Sequence, residues 1–406
     1  MPDGGAPLVT TAVGTVSRYL VDGVSACVVP VGDAAAMADA ISSLLLDRAA
    51  AAAIGAAGAA PAARTFDLMC SPTGSSRCTS MPSTGATPTV RPVDRFRDVL
   101  CKTGMRPDGV AALVARVLGW GGRAADLRPL PGGITNRNFV VAVDGREWVI
   151  RVPGERTELL GIDRSNEREA AERAARLGIG PPVFGELPDV RTLITELVPG
   201  RHLEGAAFEA RIGDVVDRIQ RFHRSGPLAG AFPVHRVVEW HARDAATRGT
   251  VAPGAYERLH QQSRRIEKAF AVAPRPLVPS HNDLLPANVL FDDDRVWLLD
   301  FEYAGMNDEF FDLGNLSVNA GLSEAAEHEV LARYFGQVTP VHWARLQLMK
   351  VMSEFREGMW AVVQTAISTL GTDFAGYADE RLRSCEKLVA RPEFTTWLED
   401  AARPLT

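Results

Sequence analysis

The sequence predicts an α+β chain of two lobes, a β-rich half followed by a mostly helical half, with a cleft between them. A small α/β fragment and a flexible linker precede the lobes. Three observations carry this expectation. Short alternating apolar runs such as "NFVVAVDGREWVIRVP" and "RTLITELVPG" fill the stretch before residue 198, and helical periodicity dominates after about residue 206. Toward the middle of the helical part stands "SHNDLLPANVLFDDDRVWLLDFEYAG", residues 280–305, in which Asp283, Asn288 and Asp300 interrupt or end apolar strands. A buried carboxylate is costly unless it is paired or holds a metal, so these groups mark a site.

In the β-rich half, Asp144-Gly145 between two alternating runs is a strong signal for a two-residue hairpin. "SNEREAAERAARLG" reads as a capped helix that stops at Gly178, and Pro181-Pro182 prevents its continuation. Further helices are expected over roughly 206–224, 254–271, 323–335, 339–370 and 375–390. Thr339 and Pro340 suit the N-cap and first position of the long one. The two lobes are placed at 93–198 and 199–406.

The front of the chain has a different composition. In residues 1–69, "SACVVPVGD" reads as a strand, and "DAAAMADAISSLLLD" as a helix capped by Asp33 with Met37, Ile41, Leu44 and Leu45 on its apolar face. The Ala-rich stretch 49–63 is weakly apolar and is expected to break at Gly55, Gly58 and Pro61. Residues 70–92, "CSPTGSSRCTSMPSTGATPTVRP", read as a flexible linker. The segment 1–69 resembles the C-terminal tail of GT-B glycosyltransferases. The donor-binding part that would precede such a tail is missing, so no activity is carried over.

The chain has 406 residues and is 46% hydrophobic, enough for two or three domains. A net charge of −6 and an isoelectric point near 5.8 leave no electrostatic footprint for nucleic acid. Acidic clefts would suit cations instead, either Mg²⁺ or an organic ammonium. The five cysteines, Cys27, Cys70, Cys78, Cys101 and Cys385, are odd in number and form no C-x-x-C pair, so neither a disulfide framework nor a zinc site is expected. The N-terminus shows no signal-peptide pattern and no segment reads as a stable membrane insertion. A cytoplasmic setting is the expectation, and the oligomeric state is left open.

The polar stretch fits phosphoryl transfer. That chemistry needs an aligned hydroxyl and metal ions to neutralise phosphate charge, and little covalent help. In "HNDLLPAN", Asp283 precedes Asn288 by five residues, and a strand then ends at Asp300. An aspartate near the acceptor can take its proton, while an amide oxygen and a second carboxylate suit Mg²⁺. Protein kinases carry H-R-D-x-x-x-x-N and D-F-G; the same spacings here read H-N-D-x-x-x-x-N and D-F-E. Gly132-Gly133 and Thr135-Asn136 precede a strand, where exposed N–H groups could cover phosphates. Arg151, inside an alternating strand, could clamp phosphate, and Glu167 could pair with it. No Walker A motif occurs, which disfavours a P-loop enzyme.

From about 95 to 395 the chain resembles the choline/ethanolamine kinase family, a branch of the aminoglycoside phosphotransferase and protein-kinase-like fold. The matching segments are "LPGGITNRNF", "WVIRVPG", "NEREAAERAARLGIGPPVFG", "LITELVPG", "HNDLLPANVLF", "LLDFEYAGMNDEFFDLGN" and "MWAVVQTAIS…GYADERL". The resemblance implies ATP and Mg²⁺ as cofactors, Asp283 as catalytic base, and Asn288 and Asp300 as metal ligands. It places Arg151 where protein kinases use lysine, with Glu167 orienting it, and residues 195–198, including Glu196 and Leu197, as the hinge beside adenine. His281 would brace the catalytic loop without transferring a proton.

For the acceptor, a quaternary ammonium has no N–H and is recognised by aromatic faces and nearby carboxylates. Trp360 and Tyr377 match family positions that line the choline pocket, and Glu302 and Tyr303 follow the metal aspartate. Where close relatives of choline kinase place an additional tryptophan, this chain has Glu357, which keeps ethanolamine or another amino alcohol in view. The leading expectation is a kinase acting on a small-molecule amino alcohol. The alternatives are a phosphotransferase of the same fold acting on an aminoglycoside or another metabolite, and a catalytically silent ligand-binding or regulatory domain.

Overall fold

The hairpin at Asp144-Gly145 forms as its sequence requires. Both residues lie in the left-handed region, with φ of 51° and 79°, and join strands that pair in unbroken register from Asn136↔Pro153 to Val143↔Arg146. In the computed structural model the described residues are 7–11, 22–30, 33–65, 124–130, 136–153, 157–187, 192–250, 253–293, 295–368 and 372–405. The expected linker and the residues Gly132, Gly133 and Thr135 lie outside them. The chain divides into two compact units, Met1–Thr89 and Val90–Thr406.

In the first unit, strand β1 (Val9–Thr11) pairs in parallel with β2 (Cys27–Val29). The helix Ala34–Leu46 follows, its N-terminus capped by Asp33, whose carboxylate accepts from the Ala36 N–H. Two expectations are corrected here. Ile41, assigned to the helix's apolar face, is 44% exposed. The Ala-rich stretch runs as one helix, Arg48–Thr65, through Gly55, Gly58 and Pro61, because alanine's helix propensity outweighs these interruptions. Among the described residues no single helix is long and apolar enough to cross a membrane. One bent pair, 35–44 with 49–57, passes that test by length and composition alone.

The second unit opens with a five-stranded antiparallel sheet of order β3-β4-β5-β7-β6: Ala124–Leu130, Asn136–Val143, Arg146–Pro153, Thr192–Glu196 and Val183–Leu187. The period-two pattern puts Trp148 and Ile150 into the hydrophobic layer, at 7% and 1% exposure, and turns Val149 and Arg151 to the opposite, cavity-lining face. The helix Arg164–Arg176 lies in the same half. Its cap is Asp163, two residues before the Ser165 that opens "SNEREAAERAARLG", accepting from Ser165 and Asn166 N–H.

Past the sheet the chain crosses to the helical lobe beside Gly200. A Cβ there would meet Leu290 Cγ at 2.8 Å and the Phe291 carbonyl at 2.9 Å, so only glycine permits the close backbone approach. Arg201 and Phe291 then exchange N–H···O bonds at 2.8 and 2.9 Å, which pins the crossing segment to the floor of the cleft.

The helical lobe is built on the helix Pro340–Ile367. Its start is a capping box in which Thr339 accepts from His342 N–H while the His342 side chain bonds back to Thr339 N–H. Met349, Met352, Phe355, Met359 and Val363 are among its fully buried positions, each stabilising the lobe by roughly 1.5–3 kcal/mol. The expected helix 206–224 is two, Gly205–Glu209 and Ile212–His223, broken where Arg211 leaves helical geometry. Helices Val234–Ala246, Glu309–Asn319 and Phe394–Ala401 were not expected. Two short antiparallel pairs complete the lobe: β8 (Val278–Ser280) with β11 (Gly305–Asn307), and β9 (Val289–Phe291) with β10 (Val296–Leu298). They carry the segment 280–305, which lines the cleft.

Candidate active site

Asp283 sits in a loop whose backbone is set by a buried carboxylate. Asp312, from the helix Glu309–Asn319, accepts the N–H of His281 and of Asn282, each at 2.7 Å, and is held by His223 Nε2 at 2.9 Å. Burial opposes its charge, but the bond and charge of His223 prevail and keep its carboxyl below the usual range. Asn282 adopts a left-handed φ of 64°, tolerable for Asn, and its Nδ2 donates to the Tyr303 carbonyl at 3.0 Å. Leu284 N–H donates to Asn315 Oδ1 at 2.5 Å, so the loop is tied down on both sides of Asp283. His281 Nε2 donates to the Leu299 carbonyl at 2.8 Å, and burial lowers the ring's pKa. It braces the loop against the strand that leads to Asp300.

Asn288 donates through Nδ2 to the Asp283 carbonyl at 2.9 Å and more weakly to Asp283 Oδ2 at 3.4 Å. Its amide nitrogen is therefore fixed toward the loop, leaving Oδ1 as a hard oxygen for a cation. Asp300, at φ 63°, bonds to Arg151, and Arg151 lies 3.6 Å from Glu167. Burial opposes the charge of Arg151, but Asp300, Glu167 and Glu302 outweigh it and raise its pKa. The pairing of Arg151 with Asp300 was not foreseen. The Asn288 amide oxygen and the Asp300 carboxylate are hard donors of the kind that suits Mg²⁺, and the Arg151 guanidinium beside them suits phosphate oxygens. Among the described residues no group of three or more His, Cys, Asp or Glu gathers as a metal cluster, so phosphate or water oxygens would complete the coordination.

These groups line one cavity of about 680 Å³. Its sheet side holds Val149, Leu193, Thr195, Glu196 and Leu197, and its helical side holds Glu357, Trp360 and Tyr377. The residues expected as the hinge line the cavity, and two of their backbone donors are engaged within the protein. Glu196 N–H donates to the Pro182 carbonyl at 2.8 Å and Leu197 N–H to that of Glu147 at 3.0 Å. The Glu196 carboxylate pairs outward with Arg146 at 3.1 Å. Asn136, whose backbone N–H is expected beside phosphates, buries its side chain outside the cavity lining. It is 6% exposed, and its Nδ2 donates to Glu302 Oε2 at 2.8 Å. Asn138, two residues along the same strand, lines the cavity instead, and its buried Oδ1 has no partner among the described residues.

Glu302 lines the cavity, but its carboxylate is held from the sheet side by Asn136 and, at 3.4 Å, by Arg164. Burial and Asp300 push it up to about 7, opposed by Arg164 and Arg151. Arg164 also donates to Glu167 Oε2 at 2.7 Å, so one buried network joins both lobes. Sequence reasoning passed over Arg164; its place at the start of a helix of mixed charge offered no sign of a long-range partner. Trp360 donates from Nε1 to the Tyr303 hydroxyl at 2.9 Å, and its ring meets Phe374 edge-on at 5.8 Å. Burial raises the Tyr377 hydroxyl to about 12. Burial also pushes Asp283 up to about 8, against the charge of Arg356 and with Glu357 adding to the rise.

A sheet-bearing lobe, a helical lobe and a cleft that gathers an aspartate, an amide and a second aspartate beneath an arginine define a phosphotransferase of kinase-like architecture. Residues 126–349, more than half of the chain, match the profile of the phosphotransferase enzyme family APH, and the chain belongs to that family. It is 26% identical over 281 residues to protein LicA of Haemophilus influenzae, covering 64% of this chain and 78% of that protein. It is 29% identical over 286 residues to ethanolamine kinase 2 of Mus musculus, covering 61% of this chain and 71% of that protein. The crystal structure of a choline/ethanolamine kinase family protein from Mesorhizobium loti superposes with a TM-score of 0.65 at 28% identity, covering 73% of this chain and 99% of that one.

Proposed function

We propose that this chain transfers the γ-phosphoryl group of ATP, with Mg²⁺, to the hydroxyl of ethanolamine, choline or a related amino alcohol. One observation carries the reading: a single cavity holds Asp283, Asn288, Asp300 and Arg151 in its middle, and Glu357, Trp360 and Tyr377 at its helical end. Asp283 accepts the proton of the acceptor hydroxyl as that oxygen bonds to the γ-phosphorus and the bond to the ADP oxygen breaks. Burial raises the Asp283 carboxyl and makes its ionised form a stronger proton acceptor, while the bond from Arg356 NH1 favours that ionised form. Asn288 and Asp300 would hold Mg²⁺, which neutralises phosphate charge. Arg151, oriented by Glu167 as well as Asp300, offers its guanidinium to phosphate oxygens. The likeness to ethanolamine kinase 2 of Mus musculus and to the choline/ethanolamine kinase family protein of Mesorhizobium loti supports an amino-alcohol acceptor. The aminoglycoside and metabolite alternatives share the same phosphoryl machinery and differ only at the acceptor end.

The test is ADP release measured over a panel of ethanolamine, choline, other amino alcohols, aminoglycosides and sugars. Turnover confined to the amino alcohols is expected. Turnover of an aminoglycoside or a sugar alone would overturn the acceptor assignment, and no turnover with any hydroxyl compound would favour the catalytically silent reading.

A further inference from the structure

Arg356 occupies the acceptor end of the cavity with a cation of the chain's own. Its guanidinium carbon lies 4.4 Å from the centroid of the Tyr303 ring and 5.6 Å from that of Phe232. NH1 donates to Asp283 Oδ1 at 3.2 Å and to Glu357 Oε1 at 2.9 Å. The residue is 1% exposed, and Nε and NH2 have no hydrogen-bond partner among the described residues. Opposite, the guanidinium of Arg381 lies 5.0 Å from the centroid of the Tyr377 ring. Both tyrosines at this end therefore already carry an arginine over the ring.

We infer that Arg356 makes the acceptor pocket select a primary ammonium over a quaternary one, an inference that rests on the amino-alcohol reading above. A quaternary ammonium offers no N–H, so its binding depends on open aromatic faces. Here Tyr303 and Tyr377 have such a face taken, which leaves Trp360 as the aromatic wall without a covering guanidinium. The Arg356 charge cannot be discharged by deprotonation, and its burial removes most solvent screening. Repulsion from it acts on any cationic acceptor, so the discrimination lies in what offsets that repulsion. A primary ammonium brings three N–H donors in a smaller head group. It can bond to the carboxylate of Glu357, of which Arg356 holds Oε1, and such charge-assisted bonds are about twice as strong as neutral ones. Trimethylammonium can form none of them, and its methyl groups add bulk where the guanidinium lies.

The experiment compares kcat/KM for ethanolamine and for choline in the wild-type chain and in Arg356→Met and Arg356→Lys. Calorimetric titration of each acceptor into the nucleotide-loaded proteins gives the same ratio as binding, so a variant slow in turnover still reports. The wild type is expected to favour ethanolamine at least tenfold. Arg356→Met should move the ratio toward choline by tenfold or more, and Arg356→Lys, which keeps the charge, should keep the preference. If Arg356→Met does not fold, the Lys variant and the wild-type ratio decide. A wild type that prefers choline, or a ratio that Arg356→Met leaves unmoved, overturns the inference while the amino-alcohol reading stands. Failure of the wild type to bind or phosphorylate either acceptor overturns both.

Discussion

Asp312 accepts the backbone N–H of His281 at 2.7 Å from a carboxylate with almost no exposure, and the same group takes the N–H of Asn282. It thereby fixes the residues that lead into Asp283 while standing apart from the cavity lining. Replacing it by alanine leaves two buried donors and His223 without their acceptor, a loss of about 3–5 kcal/mol of stability. Asp312→Asn keeps one acceptor oxygen and the volume. It should remain folded and lower kcat by about a hundredfold through misplacement of Asp283, with the KM for ATP little changed. Steady-state kinetics on the folded Asn variant, checked by circular dichroism, measure this, and a wild-type kcat would show that the loop holds its shape unaided.

Asp300 is the second residue to test. Its carboxylate bonds to Arg151 and faces the same cavity as Asn288. Asp300→Asn should abolish turnover with the fold intact, since Arg151 retains Glu167 as a partner, and excess Mg²⁺ should rescue little. Wild-type rates in the Asn variant would remove Asp300 from the mechanism.

These two aspartates differ in how far the sequence exposes them. Asp300 is legible because it ends an apolar strand inside a spaced pattern with Asp283 and Asn288, and periodicity makes a charged interruption conspicuous. Asp312 lies on a helix whose apolar residues surround it, and nothing local says that its partners are backbone groups some thirty residues earlier. The same limit separates Asn136 from Asn138. Both sit on one face of a strand, and only the tertiary positions of Glu302 and Arg164 decide which is drawn into the buried network. Arg356 shows the limit most clearly. Beside Glu357 on a helix it reads as an ordinary charged pair, yet packing buries it against Tyr303. The hairpin, the strand Thr192–Glu196, the Thr339 cap and the long helix are readable because each depends on signals within a few residues.

His235 gives a pH test outside the site. Its Nδ1 bonds to Ser263 Oγ at 2.8 Å, and burial lowers its pKa from 6.5 to about 4, with Glu267 and Glu239 opposing and Arg236 and His260 assisting. The native state thus favours the neutral ring, whereas the unfolded chain binds a proton at about 6.5. Its stability contribution is complete above that value and is lost as pH falls toward 4. His235→Gln should narrow the fall in stability between pH 7 and pH 5 by about 1–2 kcal/mol. Urea denaturation of both proteins at each pH measures it, and parallel pH dependences would assign the acid sensitivity to other groups.

The division between Thr89 and Val90 sets a truncation test. A fragment of residues 93–406 keeps every described residue of the sheet, the helical lobe and the cavity. It should be soluble and active, with the same order of preference among acceptors as the full chain. Loss of activity in the fragment would show that the front segment supports the phosphotransferase unit.

Trp360 tests the acceptor end directly. The ring lines the cavity, is 7% exposed, and is oriented by its bond to the Tyr303 hydroxyl and by the edge of Phe374. If it meets the acceptor's ammonium, Trp360→Ala removes a desolvated cation–π contact of about 2 kcal/mol, near thirtyfold in affinity. The KM for the amino alcohol should rise by that order while the KM for ATP changes little. Trp360→Phe separates the two roles of the ring: it keeps an aromatic face but leaves the Tyr303 hydroxyl without its donor, so part of the affinity should survive. Glu357→Gln should weaken a primary amine more than a quaternary one, because only the primary amine uses the carboxylate as a hydrogen-bond acceptor as well as a charge. Measuring both Michaelis constants in the same variants decides the matter. Equal rises for acceptor and ATP, or none, would make Trp360 a packing residue held between Tyr303 and Phe374, and would move the recognition of the ammonium to the carboxylates alone.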